Sequence, residues 1–383
     1  MRESRRQART DVKPADAKKP AKAKAKAKST STAEPAKATS VVAPKPEKAK
    51  ADPHVMIFAD EARTAQLTET ISMRCVSAKN AIELVEKAKR NGPAAVFIDV
   101  DLLPQLKGVL TSFPVVGVVD ESPAETLSTV VKVLDEYPAL SNVISVPLLT
   151  SPQGKAQLDS LLERLAGGLD HDLLSAASVG RVAVLAQASH REQRFQRMQG
   201  YFTKQGVSGR TIAVLHDLAE ELVMNALYNA PTEAGYFKAP VSRTEDVTLP
   251  LDRACEISYG MEGGNAFIRL RDTFGSLRRE RLVEVLRRCN SSEVALDESN
   301  GGAGLGLWRI FSTSSTVAIT VIPNRLTDVL IRVSPKQAKG ARQLLAVHLS
   351  FFVDESVPAD PIQLDQDSSM VDHSITMMQP GLA

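Results

Sequence analysis

The chain is predicted to be an α/β protein with two successive folded parts, on three observations. Between His54 and Thr150 short apolar runs alternate with helical repeats, the pattern of a doubly wound parallel sheet. From Thr211 to Asn229 runs a segment free of Gly and Pro, with Ile212, Leu215, Leu218, Leu222 and Ala226 at helical spacing. After it, Glu256-Ile-Ser-Tyr, Asn265 to Leu270, Thr316 to Ile322 and Asp328 to Val333 read as strands of a mixed sheet, which with the preceding helices makes an α/β sandwich. A length of 383 residues suits two domains, and 43% hydrophobic residues suffices for cores of ordinary size.

Residues 1–52 differ from the rest. They are Lys, Ala, Pro, Arg, Ser and Thr with almost no large apolar side chain, so they are expected to be disordered. The run Lys18 to Lys28 resembles linker-histone tails in composition, and its charge excess exceeds the chain's net +2, leaving the remainder net acidic. Nonspecific, salt-sensitive contact with nucleic-acid phosphates is one reading and a solubilising tail the other, since no aromatic residues interleave the lysines to stack on bases. No apolar run approaches a membrane span and the N-terminus lacks the apolar centre of a signal peptide, so a cytoplasmic protein with no membrane partner is expected. Cys75, Cys255 and Cys289 are far apart, match no metal or redox spacing and are expected to be reduced.

Over 53–152, Val55 to Ala59, Ala94 to Ile98, Pro114 to Val119 and Asn142 to Val146 read as buried strands, with Asn80 to Arg90 a helix and further helices before the last two strands. Active groups in such a sheet sit at the strand carboxyl ends, where Asp60, Glu61, Asp99 and Asp101 are found. The segment 153–190 reads as a helical connector, with Leu158, Leu161, Leu162 and Leu165 in one apolar stripe and Leu173, Leu174 and Val179 opening a second; such stripes pack as a hairpin or as the seam of a homodimer. His190 reads as a surface or capping histidine. Residues 191–350 hold the second folded part, with helix Phe195 to Gln205, a break at Gly206 to Gly209 and a loop from Ala230 to Tyr236; 351–383 read as a disordered acidic tail.

Two stretches carry the chemistry. On the 211–229 helix, Asp217, Glu221 and Asn225 form a polar stripe one turn apart, opposite the apolar one. A carboxylate one turn from a carboxamide presents hard oxygen ligands toward one point, as a metal-nucleotide site needs; a solvated helix face is the plainer alternative. Further on, Gly301, Gly302, Gly304 and Gly306 precede Leu307-Trp-Arg-Ile, the start of a helix, where free N–H groups form a phosphate cradle. Between the two, the strand ending at Asp272 is followed by Thr273-Phe274-Gly275.

This order, Glu221-x-x-x-Asn225-Ala, strand-Asp272, then Gly302-x-Gly304-Leu305-Gly306-Leu, resembles the GHKL (Bergerat-fold) ATPase superfamily, which includes histidine kinases and the serine kinases that act as anti-sigma factors. The match covers about 191–333. The resemblance implies ATP and Mg²⁺ as cofactors, with Asn225 ligating the metal, Glu221 as the base and Asp272 accepting from the adenine amino group. Gly302, Gly304 and Gly306 would line the triphosphate, with Leu305 and Gly275 in the same binding set and a lid from about Cys289 to Asn300. Two helices leading directly into the motif resemble the anti-sigma serine kinases more than the histidine kinases. The expected activity is transfer of the γ-phosphoryl to a Ser or Thr of a partner, or to water. The partner would be a STAS-like antagonist, a sigma factor or a response regulator; the alternatives are a non-catalytic nucleotide-gated module and a nucleic-acid-associated regulator. The family places Gly at the second and fourth positions after its strand Asp, whereas Phe274 and Ser276 stand here, which predicts an altered adenine end.

The parallel part resembles response-regulator receiver domains. By that resemblance Asp60 and Glu61 are the acid pair for Mg²⁺ and Asp99 the phosphoacceptor. Val146 before Pro147 replaces the expected Lys, and Val119-Asp120 stands where a Ser or Thr would end the fourth strand. Without a cation opposite the carboxylates a phosphoryl group gains less stabilisation, so a degenerate receiver used for protein contacts is expected beside the phosphorylatable alternative.

Overall fold

The computed structural model describes residues 52–106, 113–120, 123–149, 152–290, 305–334, 348–356 and 376–377. The basic 1–51 segment, the expected lid from 291, Gly301 to Gly304 and most of the C-terminal tail lie outside the described residues.

The first part is a parallel sheet. Strands β1 (His54–Phe58), β2 (Arg74–Ser77), β3 (Ala95–Asp99), β4 (Val115–Val119) and β5 (Leu140–Ser145) lie in the order 2-1-3-4-5, a common doubly wound arrangement. The buried runs are apolar on both faces because helices cover both. Helix α1 (Glu61–Thr70) starts at Asp60, whose carboxylate accepts from the Arg63 amide at 2.7 Å. Helix α2 (Ala81–Asn91) starts at Asn80 and ends on Gly92 at φ 57°, a left-handed C-cap. Two features depart from the sequence reading. β2 is a short, half-exposed edge strand without an apolar run, and β3 is followed by a 3₁₀ helix (Val100–Leu106) containing Pro104. Helix α3 (Pro123–Glu136) does precede β5.

The expected helical connector over 153–190 is helical only in its first half. After a single turn α4 (Val146–Leu149), α5 (Pro152–Gly167) buries Leu158, Leu161 and Leu162 against Val55, Ile57 and Ile144. Val179–Leu185 is strand β6, because its β-branched residues complete an antiparallel ladder with β7 (Cys255–Glu262). Leu173 and Leu174 pack with Phe267 and Leu330 instead of forming a second helical stripe.

The second part runs β6-β7-β8-β10-β9, all antiparallel, with β8 (Asn265–Asp272), β9 (Thr316–Ile322) and β10 (Leu326–Val333). Helices α6 (Arg191–Lys204), α7 (Gly209–Met224), α9 (Arg279–Asn290) and α10 (Leu305–Thr313) contribute to the core on one face. His190 sits at the N-cap of α6 with no side-chain cap bond. The expected loop at 230–236 begins as a short helix, α8 (Ala230–Glu233). On the opposite face Arg269 pairs with Asp328 at 2.6 Å and Asp172 at 2.7 Å, and Arg332 with Glu262 at 2.5 Å, so the buried guanidiniums are neutralised.

The two parts share one sheet. Strand β11 (His348–Val353) runs parallel to β9, with His348 beside Thr316 and Val353 beside Val321, and antiparallel to β5, with His348 opposite Ile144. With β12 (Thr376–Met377) beside β6, the sheet has twelve strands, and the chain from Lys50 on forms one compact unit. Ordered structure therefore continues past 350, where the sequence suggested a tail. The contact is reinforced off the sheet, where Gln157 Oε1 accepts from Thr316 Oγ1 at 2.9 Å and Arg164 donates to Thr320 Oγ1 at 2.7 Å. Among the described residues no helix is long and apolar enough to cross a membrane.

Candidate functional site

Helix α7 begins where Ser208 accepts from the Thr211 amide at 3.2 Å, and Gly206 at φ 75° turns the chain out of α6. Leu215, Leu218 and Leu222 are buried in one core with Ala266, Ile268 and Leu270 of β8; truncating a buried leucine to alanine costs roughly 2–5 kcal/mol. That anchoring leaves the polar stripe to be divided. Asp217 forms an ion pair with Arg309 of α10, so it ties two helices together. Glu221 and Asn225 line a cavity of about 230 Å³. At Asn225–Asn229 the helix widens into a π turn, in which Asn229 Nδ2 donates to Asn225 Oδ1 at 2.7 Å and both side chains line the cavity. Such widened turns occur often at functional positions.

The opposite wall follows from strand periodicity. Ala266, Ile268 and Leu270 face α7, so Asp272, two residues on, faces the same way and lines the cavity with Thr327 and Val329 of β10. Asp272 is 5% exposed, and burial pushes its carboxyl up to about 6 against the lowering effect of the Phe274 and Gly275 amides, which donate at 2.9 and 3.3 Å. Those two amides require a tight turn. Gly275 adopts φ 58°, and a Cβ there would lie 2.1 Å from the Ile322 carbonyl oxygen.

Of Phe274 and Ser276, from which an altered adenine end was expected, only Ser276 lines the cavity, with Leu277. Phe274 is fully buried beside Tyr236, ring centroids 5.6 Å apart. Gly275 stands where the chain passes the β9–β10 turn, close against the Ile322 carbonyl and the Asn324 and Arg325 amides.

Glu221 is closely surrounded. Arg243 Nη1 lies 3.6 Å from Glu221 Oε2, and a Cβ on Gly306, in the first turn of α10, would lie 1.8 Å from the carboxyl group. Burial raises the Glu221 pKa, and the Arg243 charge and the Asn225 side chain oppose the rise. Leu307 of α10 lines the cavity, and the remaining wall is largely apolar, from Leu222, Ala226, Leu270 and Val329. An apolar slot with a buried carboxylate on one strand and a carboxylate–carboxamide pair on the facing helix can hold a flat heteroaromatic ring and a metal-bound polyanion. Of the other residues expected to bind nucleotide, Gly302 and Gly304 lie outside the described residues, and Leu305 opens α10.

At the carboxyl ends of the parallel strands the expected acidic groups have separate tasks. Asp60 caps α1, Glu61 is exposed in its first turn, and Asp99 is half-buried at the end of β3. Burial raises the Asp99 pKa; the Asp101 amide opposes that, and the Asp101 and Asp60 charges add to it. The expectation of no cation there is overturned. Arg63, buried on the first turn of α1, pairs with Asp120 after β4, and its charge favours ionised Asp99. Among the described residues no three His, Cys, Asp or Glu side chains converge as a metal-holding group.

Sequence reasoning missed Arg243, Arg281, Glu233 and Arg63. Arg243 reaches the cavity region from a loop, Arg281 from the start of α9 and Glu233 from the end of the short α8, none with a periodic signal. Arg63 carried a local signal, lying three residues after a capping Asp, but its partner is far along the chain. No family model matches this chain, and comparison with curated proteins finds no match.

Proposed function

We propose that the cavity between α7 and β8 binds Mg-ATP and that the protein is a signalling phosphotransferase of GHKL type, directing the γ-phosphoryl group to a Ser or Thr of a partner protein. The observation that carries this reading is the convergence of Glu221, Asn225 and Asp272, from two elements far apart in sequence, on one largely apolar cavity. The residues fit the ligand. Asp272 would accept from an exocyclic amino group, Asn225 would hold the metal, and Gly306 leaves no side chain between α10 and Glu221. A bound Mg²⁺ would neutralise phosphate charge. Glu221, with its carboxyl raised by burial, takes the hydroxyl proton of the incoming Ser or Thr as its oxygen bonds to the γ-phosphorus and the bond to the β-phosphate oxygen breaks. ADP leaves.

The parallel half is read as a receiver-like interaction module, because Val146 stands before Pro147 where a receiver has its Lys and Arg63 is engaged by Asp120. A nucleotide-gated module without turnover is the second reading. It is favoured by the engagement of Glu221 with Arg243 and of Asn225 with Asn229 in this conformation. The test is calorimetric titration of the full chain with Mg-ATP, beside Asn225→Ala and Asp272→Ala. Binding by the parent and its loss in both variants supports the pocket, and γ-phosphate release or transfer then separates the two readings. A parent chain that does not bind at millimolar Mg-ATP rules out both.

A further inference from the structure

We propose that Arg243 is the residue by which this site distinguishes a nucleoside triphosphate from a diphosphate, its guanidinium exchanging Glu221 for the terminal phosphate. The inference rests on the nucleotide reading of the cavity and deepens it.

Arg243 sits on a segment that is held from several sides. Tyr228, itself a cavity residue, donates to the Glu245 carbonyl at 2.5 Å. Asp246 accepts from Gln187 at 2.9 Å and from the Ser189 amide at 2.8 Å, and the Ala188 amide donates to the Val247 carbonyl at 2.8 Å. Pro240 and Val241, just before it, line the cavity. The segment therefore holds a half-exposed guanidinium beside Glu221, which lines the cavity.

Its ion pair among the described residues is Glu221, and at 3.6 Å that contact is longer than a hydrogen bond. A guanidinium has five N–H donors in a planar fork that matches phosphate oxygens, so a loose single contact leaves most of its capacity unused. The same spot is crowded from α10, where Gly306 is the residue whose Cβ would collide with the Glu221 carboxyl. Arg243 and the opening turn of α10 thus meet at Glu221, on the helix that faces Asp272 across the cavity. A nucleotide whose ring lies at Asp272 directs its phosphates toward that point. A diphosphate leaves Arg243 on Glu221. A triphosphate supplies a stronger, charge-assisted partner and releases Glu221 to act as base, which couples the presence of the transferable group to the readiness of its acceptor.

The test is titration of the full chain with the Mg complexes of a non-hydrolysable ATP analogue and of ADP, for the parent, Arg243→Gln, Arg243→Lys and Asp272→Ala, each checked for an unchanged circular dichroism spectrum. Arg243→Gln is expected to lose about tenfold or more in affinity for the triphosphate and less than about twofold for ADP, with Arg243→Lys between. Asp272→Ala is expected to lose both ligands together. Equal loss of both ligands in Arg243→Gln, or loss of neither, overturns the role of Arg243 while leaving the pocket intact. A parent chain that binds neither ligand overturns the nucleotide reading and this inference with it.

Discussion

Arg279 joins the two halves of the sheet away from the strands, and its removal is an informative structural perturbation. Its Nη2 donates to the Leu134 carbonyl at 2.7 Å and lies 3.3 and 3.2 Å from those of Tyr137 and Leu140, gathering the end of α3 and the start of β5. Just over two helical turns along α9, Arg287 pairs with Asp135. A cation at a helix C-terminus meets carbonyls that have no partner inside the helix. One nitrogen carries only two protons, so the three contacts count as about two charge-assisted bonds of roughly 1.5–3 kcal/mol each, reduced by the burial cost that lowers the Arg279 pKa. Arg279→Met keeps the apolar stem and removes the charge; the expected loss is about 2–4 kcal/mol. Urea unfolding of the full chain measures it, and hydrogen exchange at the last turn of α3 and in α9 locates it. Because Leu277 and Arg281, flanking Arg279, line the cavity, exchange is expected to rise at both places together. A loss below about 0.5 kcal/mol, or faster exchange in α3 alone, would refute the view that α9 links the parallel half to the cavity.

Two glycines should behave oppositely. Gly275→Ala meets backbone, 2.1 Å from the Ile322 oxygen, and must hold φ 58°, so a loss of at least about 2 kcal/mol is expected in denaturant unfolding. In Gly306→Ala the obstacle is the end of the Glu221 side chain, which can turn aside. That variant should keep or raise its melting temperature, by helix propensity of up to about 1 kcal/mol, and lose nucleotide-dependent activity; a large drop in stability would show that Glu221 cannot move. Asp272, raised from 3.8 to about 6, binds a proton more readily in the folded state, so its contribution to stability is full below about pH 4 and is lost as pH rises through 6. The shift of about two units corresponds to about 3 kcal/mol at pH 7. Asp272→Asn should therefore be at least as stable as the parent at pH 7, with a flatter profile between pH 4 and 6 in urea titrations, and less stability at pH 7 would contradict the assigned cause.

Local periodicity made much of this molecule readable in advance. The apolar repeat of α7 fixes which face it buries, and so places Glu221 and Asn225 opposite that face; the alternation along Ala266 to Asp272 turns Asp272 toward the same helix. The parallel strands β1, β3, β4 and β5 were visible as continuous apolar runs because both their faces are covered. What depends on distant partners was not readable. β6 looked like a continuation of a helical stripe because only its ladder with β7 decides for a strand. Phe274 was expected to alter the adenine end, yet it packs with Tyr236 in the core. Asp217 lay on the same stripe as Glu221 yet is held by Arg309, ninety-two residues away. Arg63 supplied the missing cation through Asp120, and β11 merged two expected domains into one sheet by pairing with strands from both. The sequence by itself determined which faces of its helices and strands are apolar, since that needs only neighbours within a turn or a pleat. Tertiary structure alone decided which charges meet, because a guanidinium takes whichever carboxylate or carbonyl the packed elements bring within reach, and no local pattern encodes that choice.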